Sequence, residues 1–216
     1  FVAGADCVML EAGPKWSVEE NGAMFKWNYE SPRRGGSHRA RPFGEFDACL
    51  GGWDIPGEPY TVAEGSEFAW FRGRMLGGSS SINGCAFVRG QAQDFDTWAQ
   101  MGNRGWSYRD VLPFFKRMET YEGSGDATFR GRDGPLRITN PEPDLPLYKT
   151  LIKAAGEVGI QHSADYNGTS QDGIAMSQAT IANGRRQSTA ECYLSPIRKR
   201  ANLTIETGAL AEKLLF

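Results

Sequence analysis

A glycine- and serine-rich run in the 216-residue sequence constrains the fold more than any other feature. It reads Gly73-Arg-Met-Leu-Gly-Gly-Ser-Ser-Ser-Ile-Asn-Gly84, with apolar and amide side chains at fixed positions that a flexible linker does not need. Adjacent glycines let a backbone approach a ligand closely, and successive N–H groups can form an anion-binding nest. Serine hydroxyls and an asparagine amide add donors and acceptors. The run therefore predicts a binding loop for a cofactor that bears a phosphate or a flavin.

A short apolar strand is expected near the start of the chain. Cys7-Val-Met-Leu10 is followed by Glu11 and then by Ala-Gly-Pro, which predicts a buried parallel strand that ends in a turn. An acidic residue at the carboxyl edge of such a strand can accept both ribose hydroxyls of a dinucleotide. Taken alone, Glu11 fits a solvated carboxylate better. The cofactor loop in the same chain favours the ribose role.

Helical and strand patterns alternate along the rest of the chain, which predicts a mixed α/β fold. We expect helices at four places: over 94–101, from Ser107 with Asp110 at capping-box spacing, from Pro146 to a cap at Gly159, and after Ser188. We expect strands over 135–139, 178–181, 203–205 and 214–216, with a tight turn at Asn183-Gly184. Residues 16–66 form one long irregular segment in this interpretation. Asp94 and Asp96 resemble a carboxylate pair, but charges at a helix start explain them better.

Composition removes several classes of function. The 26 acidic and 24 basic residues give a net charge of −2, which offers no electrostatic reason to expect nucleic acid or an anionic membrane as a partner. No apolar run approaches the roughly 18 residues of a transmembrane segment. Two histidines leave few candidates for acid–base chemistry. Four widely spaced cysteines predict mostly buried free thiols and no zinc site: Cys7, Cys49, Cys85 and Cys192.

Residues 73–90 resemble the first signature of the glucose–methanol–choline (GMC) family of flavin oxidoreductases, including Asn83-Gly84 and Arg89-Gly90. Four further stretches are similar to the same family, so that the resemblance runs almost end to end: Leu10-Glu-Ala-Gly13, Gly105-Trp-Ser-Tyr108, Gly184-Arg-Arg-Gln-Ser-Thr-Ala190 and Asn202-Leu-Thr-Ile205. The resemblance implies an α/β, Rossmann-like FAD-binding domain, incomplete at both ends, with part of an α+β substrate domain. The expected division is 1–100 for FAD binding, 101–200 for segments leading into the substrate domain, and 201–216 for return strands.

The resemblance also implies a set of cofactor-binding residues. Glu11 would bind the adenosine ribose, and Ala211 would lie near the adenine. The remaining residues would lie along the cofactor: Met75, Gly77, Gly78, Ser79, Ser80, Asn83, Gly84, Cys85 and Ala86. Cys85 equally fits a buried structural thiol. Some family members attach FAD through a histidine at the position of Ile82, so non-covalent FAD is expected here, with no metal.

Two parts of the family's machinery are expected outside the sequence. The first strand and the G-x-G-x-x-G phosphate loop belong before Phe1, and the catalytic histidine with its partner belongs after Phe216. Neither His38 nor His162 matches that histidine, so no catalytic residue is expected in this chain. Any targeting segment would also precede Phe1, and a cytoplasmic location is favoured.

The resemblance implies an FAD-dependent oxidoreductase that acts on the CH–OH group of a small-molecule alcohol. Hydride would pass to the flavin while a histidine removes the hydroxyl proton, and the electron acceptor that reoxidises the flavin stays open. Two alternatives remain: a non-catalytic FAD-binding remnant, and a lyase on the same scaffold.

The resemblance changes branch within the family. Residues 51–78 are similar to a sugar- or gluconate-dehydrogenase-like branch, whereas the chain from residue 79 onward is similar to choline- and alcohol-dehydrogenase-like members. We hypothesise a composite joined near residues 74–78. One uninterrupted parental gene that spans this point would disprove it.

Overall fold

The computed structural model describes residues 6–12, 52–56, 69–141 and 146–214, and it confirms the predicted mixed α/β fold. In chain order the strands are β1 (Cys7–Glu11), β2 (Gly52–Pro56), β3 (Ala69–Gly73), β4 (Glu119–Tyr121), β5 (Leu136–Ile138), β6 (Ile181–Ala182), β7 (Arg185–Arg186) and β8 (Leu203–Thr207). The helices are α1 (Ala92–Gln100), α2 (Tyr108–Met118) and α3 (Pro146–Glu157). The described residues form two compact units: one up to Asn83 together with those from Ser188 onward, and the other from Gly84 to Gln187.

The first unit contains two strand pairs. β1 runs parallel to β8, with Glu11 opposite Thr207, as the apolar pattern of β1 predicts. The pair is less buried than that pattern implies, because Val8 is 65% and Leu10 is 52% exposed. β2 pairs antiparallel with β3. This strand corrects the prediction that 16–66 is irregular throughout, and the rest of that segment lies outside the described residues.

The second unit is built on a small mixed sheet. β4 and β5 pair in parallel, and Thr139, which follows β5, exchanges two backbone hydrogen bonds of 2.9 Å with Ala179. On the other side of Ala179 lies Ala86, in an antiparallel bridge. Four short segments therefore lie side by side, in the order 85–87, 178–180, 136–139 and 119–121. The predicted strands over 135–139 and 178–181 correspond to two of them.

The helices begin where capping residues predict. The Asp94 carboxylate accepts a hydrogen bond of 2.8 Å from the Gln91 N–H at the start of α1, and Asp96 accepts one of 2.9 Å from the Tyr108 N–H at the start of α2. The Ser107 hydroxyl oxygen accepts a hydrogen bond of 3.3 Å from the Asp110 N–H. Asp94 therefore lies in the first turn of its helix, as expected, whereas Asp96 lies further inside α1 and accepts from the first residue of α2. Pro113 lies inside α2 without ending it.

The elements from residue 146 onward include the helix and the turn that the sequence predicts, but the helix expected after Ser188 is of another type. α3 begins at Pro146 and is followed by Gly159 at φ 85°, and Asn183 and Gly184, at φ 52° and 70°, make the tight turn between β6 and β7. After Ser188 the expected helix is a π-helical turn over Ala190–Leu194 followed by a 3₁₀ turn over Ser195–Ile197.

Pro196 lies near the start of the 3₁₀ turn, where its missing N–H is tolerated. At the end of the chain Leu214 is not in a strand, which corrects the strand expected over 214–216 at that residue. Residues 215 and 216 lie outside the described part.

A buried cluster of charged side chains lies at the centre of the second unit. The Arg130 guanidinium donates to both Glu119 carboxylate oxygens at 2.8 and 3.0 Å and to Asp165 Oδ1 at 2.6 Å. Arg89 Nη2 lies 2.8 Å from Glu119 Oε1. Two positive and two negative charges therefore balance within one buried group. Burial, and secondarily the Asp165 carboxylate, raises the pKa of the adjoining Tyr121 hydroxyl above its ordinary value.

Removing one charge from this cluster should destabilise the fold strongly. We expect Glu119→Gln to lower the free energy of unfolding by about 3–5 kcal/mol, because two buried guanidinium groups lose their shared carboxylate. Glu122→Gln is the matched control. Its Arg137 partner approaches to 2.6 Å, but the two side chains are 35% and 40% exposed, so the loss should stay below about 1 kcal/mol. Urea unfolding measures both, and equal losses would contradict the prediction.

Candidate functional site

The predicted ribose ligand lies at the carboxyl edge of the parallel pair β1–β8. Glu11 is the last residue of β1, and its carbonyl accepts a hydrogen bond of 2.9 Å from the Ala209 N–H. Ala211, the predicted neighbour of the adenine, follows two residues later and is exposed. Because both strands end at the same edge, the structure brings Glu11 and the segment that carries Ala211 together. Ligands of open α/β sheets bind outside such an edge.

The glycines of the predicted cofactor loop are required by its backbone. Gly77 and Gly78 adopt left-handed conformations, with φ of 89° and 53°. A Cβ on Gly73 would lie 2.3 Å from the Gly78 carbonyl oxygen, so no larger residue fits there without a shift of the main chain. The Gly73 N–H donates a hydrogen bond of 3.1 Å to Ser79 Oγ, and Met75 is fully buried inside the turn.

The serine hydroxyls bond within the loop and to the segment that follows Ser188. Ser80 Oγ donates to the Gly77 carbonyl at 2.5 Å and accepts from the Thr189 N–H at 2.9 Å, while Ser81 Oγ donates to the Leu76 carbonyl at 3.0 Å. The hydroxyls therefore set the shape of the loop, a use that the sequence did not indicate. Their expected contacts with a cofactor stay a prediction, as does the composite junction at 74–78.

The residues that follow the loop form the free edge of the small sheet. Cys85 is buried and left-handed, with φ 62°, and its carbonyl accepts hydrogen bonds from the Thr180 N–H at 2.8 Å and from Thr180 Oγ1 at 3.2 Å. Two residues after Cys85, the Phe87 N–H donates a hydrogen bond of 2.8 Å to the Gln178 carbonyl.

In an antiparallel pairing the residue between two such bonds points its N–H and C=O the other way. The Ala86 N–H and C=O therefore face away from the sheet, and neither is hydrogen-bonded within the described residues. Gly84 is exposed, and a Cβ placed on it would meet nothing within 4 Å. In the 84–86 strip (Gly84–Cys85–Ala86), the open backbone donor and acceptor are therefore those of Ala86.

Several residues that sequence reasoning missed support this site. Thr180 and Thr189 lie 95 and 109 positions from the residues they hold, Cys85 and Ser80. No local pattern marks such partners. Arg89 belongs to the signature, but its side chain enters the buried charged cluster.

Other predictions concern metals, thiols and histidines. The described residues contain no group of three or more His, Cys, Asp or Glu side chains that could hold a metal ion. Cys7, Cys85 and Cys192 form no disulfide, as predicted, while Cys49 and His38 lie outside the described part. His162 is exposed on a bridge to Ile174.

Among the described residues, two cavities in the second unit are lined by none of the predicted cofactor residues. One of about 630 Å³ lies along α2, and one of about 470 Å³ lies beside Asn167. Across the described residues no helix is long and apolar enough to cross a membrane.

Comparison with known proteins identifies a family and several relatives. The model of the GMC oxidoreductase family matches residues 8–216. The oxygen-dependent choline dehydrogenase of Brucella anthropi is 45% identical over 164 residues, which are 76% of this chain and 30% of that protein. The protein of the same name from Rhizobium johnstonii is 42% identical over 164 residues, with the same coverage. The chain therefore spans about 30% of the length of the curated relatives it matches.

Solved structures agree with this fold. Pyridoxine 4-oxidase from Mesorbium loti superposes with a TM-score of 0.78 at 27% identity, over 96% of this chain and 38% of that one. An FAD-dependent oxidoreductase from Chaetomium thermophilum gives a TM-score of 0.71 at 24% identity, over 92% of this chain and 33% of that one, and supports the fold alone.

Two glycine substitutions should differ in their effect on stability, because a Cβ on one glycine would meet neighbouring atoms and a Cβ on the other would not. Gly77→Ala places a Cβ on a left-handed residue, 2.4 Å from Ser81 Oγ, and should lower the free energy of unfolding by about 1–3 kcal/mol. Gly84→Ala meets nothing and should change it by no more than about 0.5 kcal/mol. Urea unfolding without cofactor tests both, and a larger loss for Gly84→Ala would contradict the described loop.

Proposed function

The chain belongs to the GMC oxidoreductase family, and we propose that it is part of an FAD-dependent enzyme that oxidises the CH–OH group of a small-molecule alcohol. The match over residues 8–216 supports this proposal. So do the names of the similar proteins, which are choline dehydrogenases and a pyridoxine oxidase. The electron acceptor and the particular alcohol are open.

The observation that carries the proposal is the position of Glu11. Its carboxylate stands at the carboxyl end of a strand in a parallel pair, where a dinucleotide's ribose hydroxyls find an acceptor. Ala211 lies two residues after Ala209, whose N–H donates a hydrogen bond to the Glu11 carbonyl. The adenine and the ribose would therefore have neighbouring sites.

The described residues also fit the flavin end of FAD. Within the 84–86 strip, the Ala86 N–H and C=O have no hydrogen-bond partner among the described residues, and the polar edge of a flavin ring requires both a donor and an acceptor. We propose cofactor contacts for eleven residues: Glu11, Met75, Gly77, Gly78, Ser79, Ser80, Asn83, Gly84, Cys85, Ala86 and Ala211. The aliphatic side chain of Ile82 offers no nucleophile, so the proposed binding is non-covalent.

When bound, the flavin supplies the acceptor for the hydride of the alcohol carbon. In the proposed binding, Glu11 and the loop around Gly77 would be the contacts of the first unit, and the 84–86 strip would be the contact of the second unit. No residue is proposed as a catalytic base or a metal ligand. We retain the proposed division into an FAD-binding part at 1–100, a part leading to the substrate domain at 101–200, and return strands at 201–216.

Anaerobic titration of the purified full-length enzyme that contains this chain tests the proposed function. FAD should bind, and an alcohol from a panel that includes choline and pyridoxine should bleach its visible absorbance. Failure to bind FAD would overturn the proposal. Bound FAD that no alcohol reduces would favour a non-catalytic module, and cleavage of a cyanohydrin without net flavin reduction would favour a lyase.

The role of Glu11 gives a sharper prediction. Glu11→Ala should weaken FAD binding about tenfold or more, because two hydrogen bonds to a charged acceptor are lost. FMN has no adenosine, so its binding should not change. Glu206→Ala removes an exposed carboxylate from the neighbouring strand β8 and serves as the control. Equal FAD affinity in Glu11→Ala and wild type, measured by fluorescence quenching, would exclude the ribose assignment.

A further inference from the structure

We propose that Thr180 is a positioning residue for the 84–86 strip and so for the flavin. The inference rests on the proposed function. Thr180 does not face the cofactor in this scheme. It acts through Cys85, whose carbonyl oxygen receives both the backbone N–H and the side-chain hydroxyl of Thr180, at 2.8 and 3.2 Å.

Cys85 needs to be held. Its φ of 62° is unfavourable for any residue with a Cβ, and only Cys85 and Asn183 adopt positive φ among the described non-glycine residues. Asn183 lies in a tight turn next to glycine, where asparagine is tolerated. Cys85 is not an asparagine and does not lie in such a turn, so contacts from outside its own segment help to maintain its conformation.

The conformation of Cys85 decides which way its neighbours point. With the Cys85 carbonyl turned toward Thr180, the N–H and C=O of Ala86 face away from the sheet, and Gly84 lies on open space. Release of the Cys85 carbonyl would let this residue relax toward negative φ. The direction of both neighbouring peptide groups would then change.

Thr180 is itself anchored firmly enough to act as a support. Its carbonyl accepts a hydrogen bond of 2.8 Å from the Gln187 N–H, and its neighbour Ala179 exchanges two bonds with Thr139. One residue further, the Gln178 side chain is buried and accepts from Arg130 at 2.9 Å. The position of the strip is thereby tied to the charged cluster in the second unit.

The test compares Thr180→Val with Thr180→Ser in the purified protein. Valine has nearly the shape of threonine and removes only the hydroxyl donor, while serine retains it. For Thr180→Val we expect FAD affinity to fall about fivefold, the visible flavin absorbance to change shape, and the flavin potential to shift. Thr180→Ser should resemble wild type in all three.

Thr139→Val is the control for a merely structural role. The Thr139 hydroxyl also makes a hydrogen bond inside this sheet, of 2.8 Å to the Ile181 carbonyl, but it does not touch Cys85. This variant should lose a similar amount of stability with an unchanged flavin spectrum. If both valine variants change the spectrum equally, or if neither does, the positioning role is overturned.

Two further measurements do not depend on flavin turnover. Without cofactor, alkylation of the buried Cys85 thiol, followed by peptide mass analysis, should be faster in Thr180→Val than in wild type. Glycine adopts positive φ freely, so Cys85→Gly should make the Thr180 hydroxyl dispensable, and the double variant should match Cys85→Gly in FAD affinity. Unchanged alkylation, or a full additional loss in the double variant, overturns the inference.

The two levels of the proposal fail differently. If wild type binds no FAD, the proposed function is overturned and the flavin role of Thr180 with it. If wild type binds FAD and Thr180→Val is indistinguishable from it, only the role of Thr180 is overturned.

Discussion

The Glu119 carboxylate joins more segments of the second unit than a single ion pair would. It accepts two hydrogen bonds from the Arg130 guanidinium and one of 2.9 Å from the Gly131 N–H, and it lies against Arg89. A buried ion group of this kind adds little net stability compared with apolar packing, because desolvation offsets most of the attraction. Its effect is geometric. A charge without its partner is so costly that the segments carrying these residues have one favourable arrangement.

The charged cluster is connected to the 84–86 strip through two sets of hydrogen bonds. Arg130 donates to the Gln178 side chain, the Gln178 carbonyl accepts from the Phe87 N–H, and the next residue, Ala179, pairs with Thr139. Arg89, the last residue but one of the signature resemblance, enters the same cluster. The signature therefore carries residues of two kinds: some fix the conformation of the backbone, and others, such as Arg89, fasten it to the core of the second unit.

Local features of the fold could be predicted from the sequence because their causes are local. Ser107 and Asp110 identify the start of α2, and Asn183-Gly184 identifies a turn with positive φ. Features that depend on distant partners could not be predicted. Nothing near Thr180 indicates that it bonds to Cys85, and nothing near the serines indicates Thr189. The family resemblance supplied the expected site residues, whereas the roles of their supporting partners required the structure.

The inward-turned serine hydroxyls have a consequence for how the 73–84 run tolerates change. Ser80 and Ser81 direct their hydroxyl protons to carbonyls of their own loop, and Gly73 and Gly77 are excluded from substitution by neighbouring atoms. The residues of the run therefore determine the conformation of the main chain more than they present side chains to the outside. A serine-to-alanine change in the run removes a hydrogen bond that holds the main chain, and so affects its conformation more directly than it affects contacts outside the loop. Conversely, an unrelated sequence that reproduced this conformation would reproduce the same outward backbone groups.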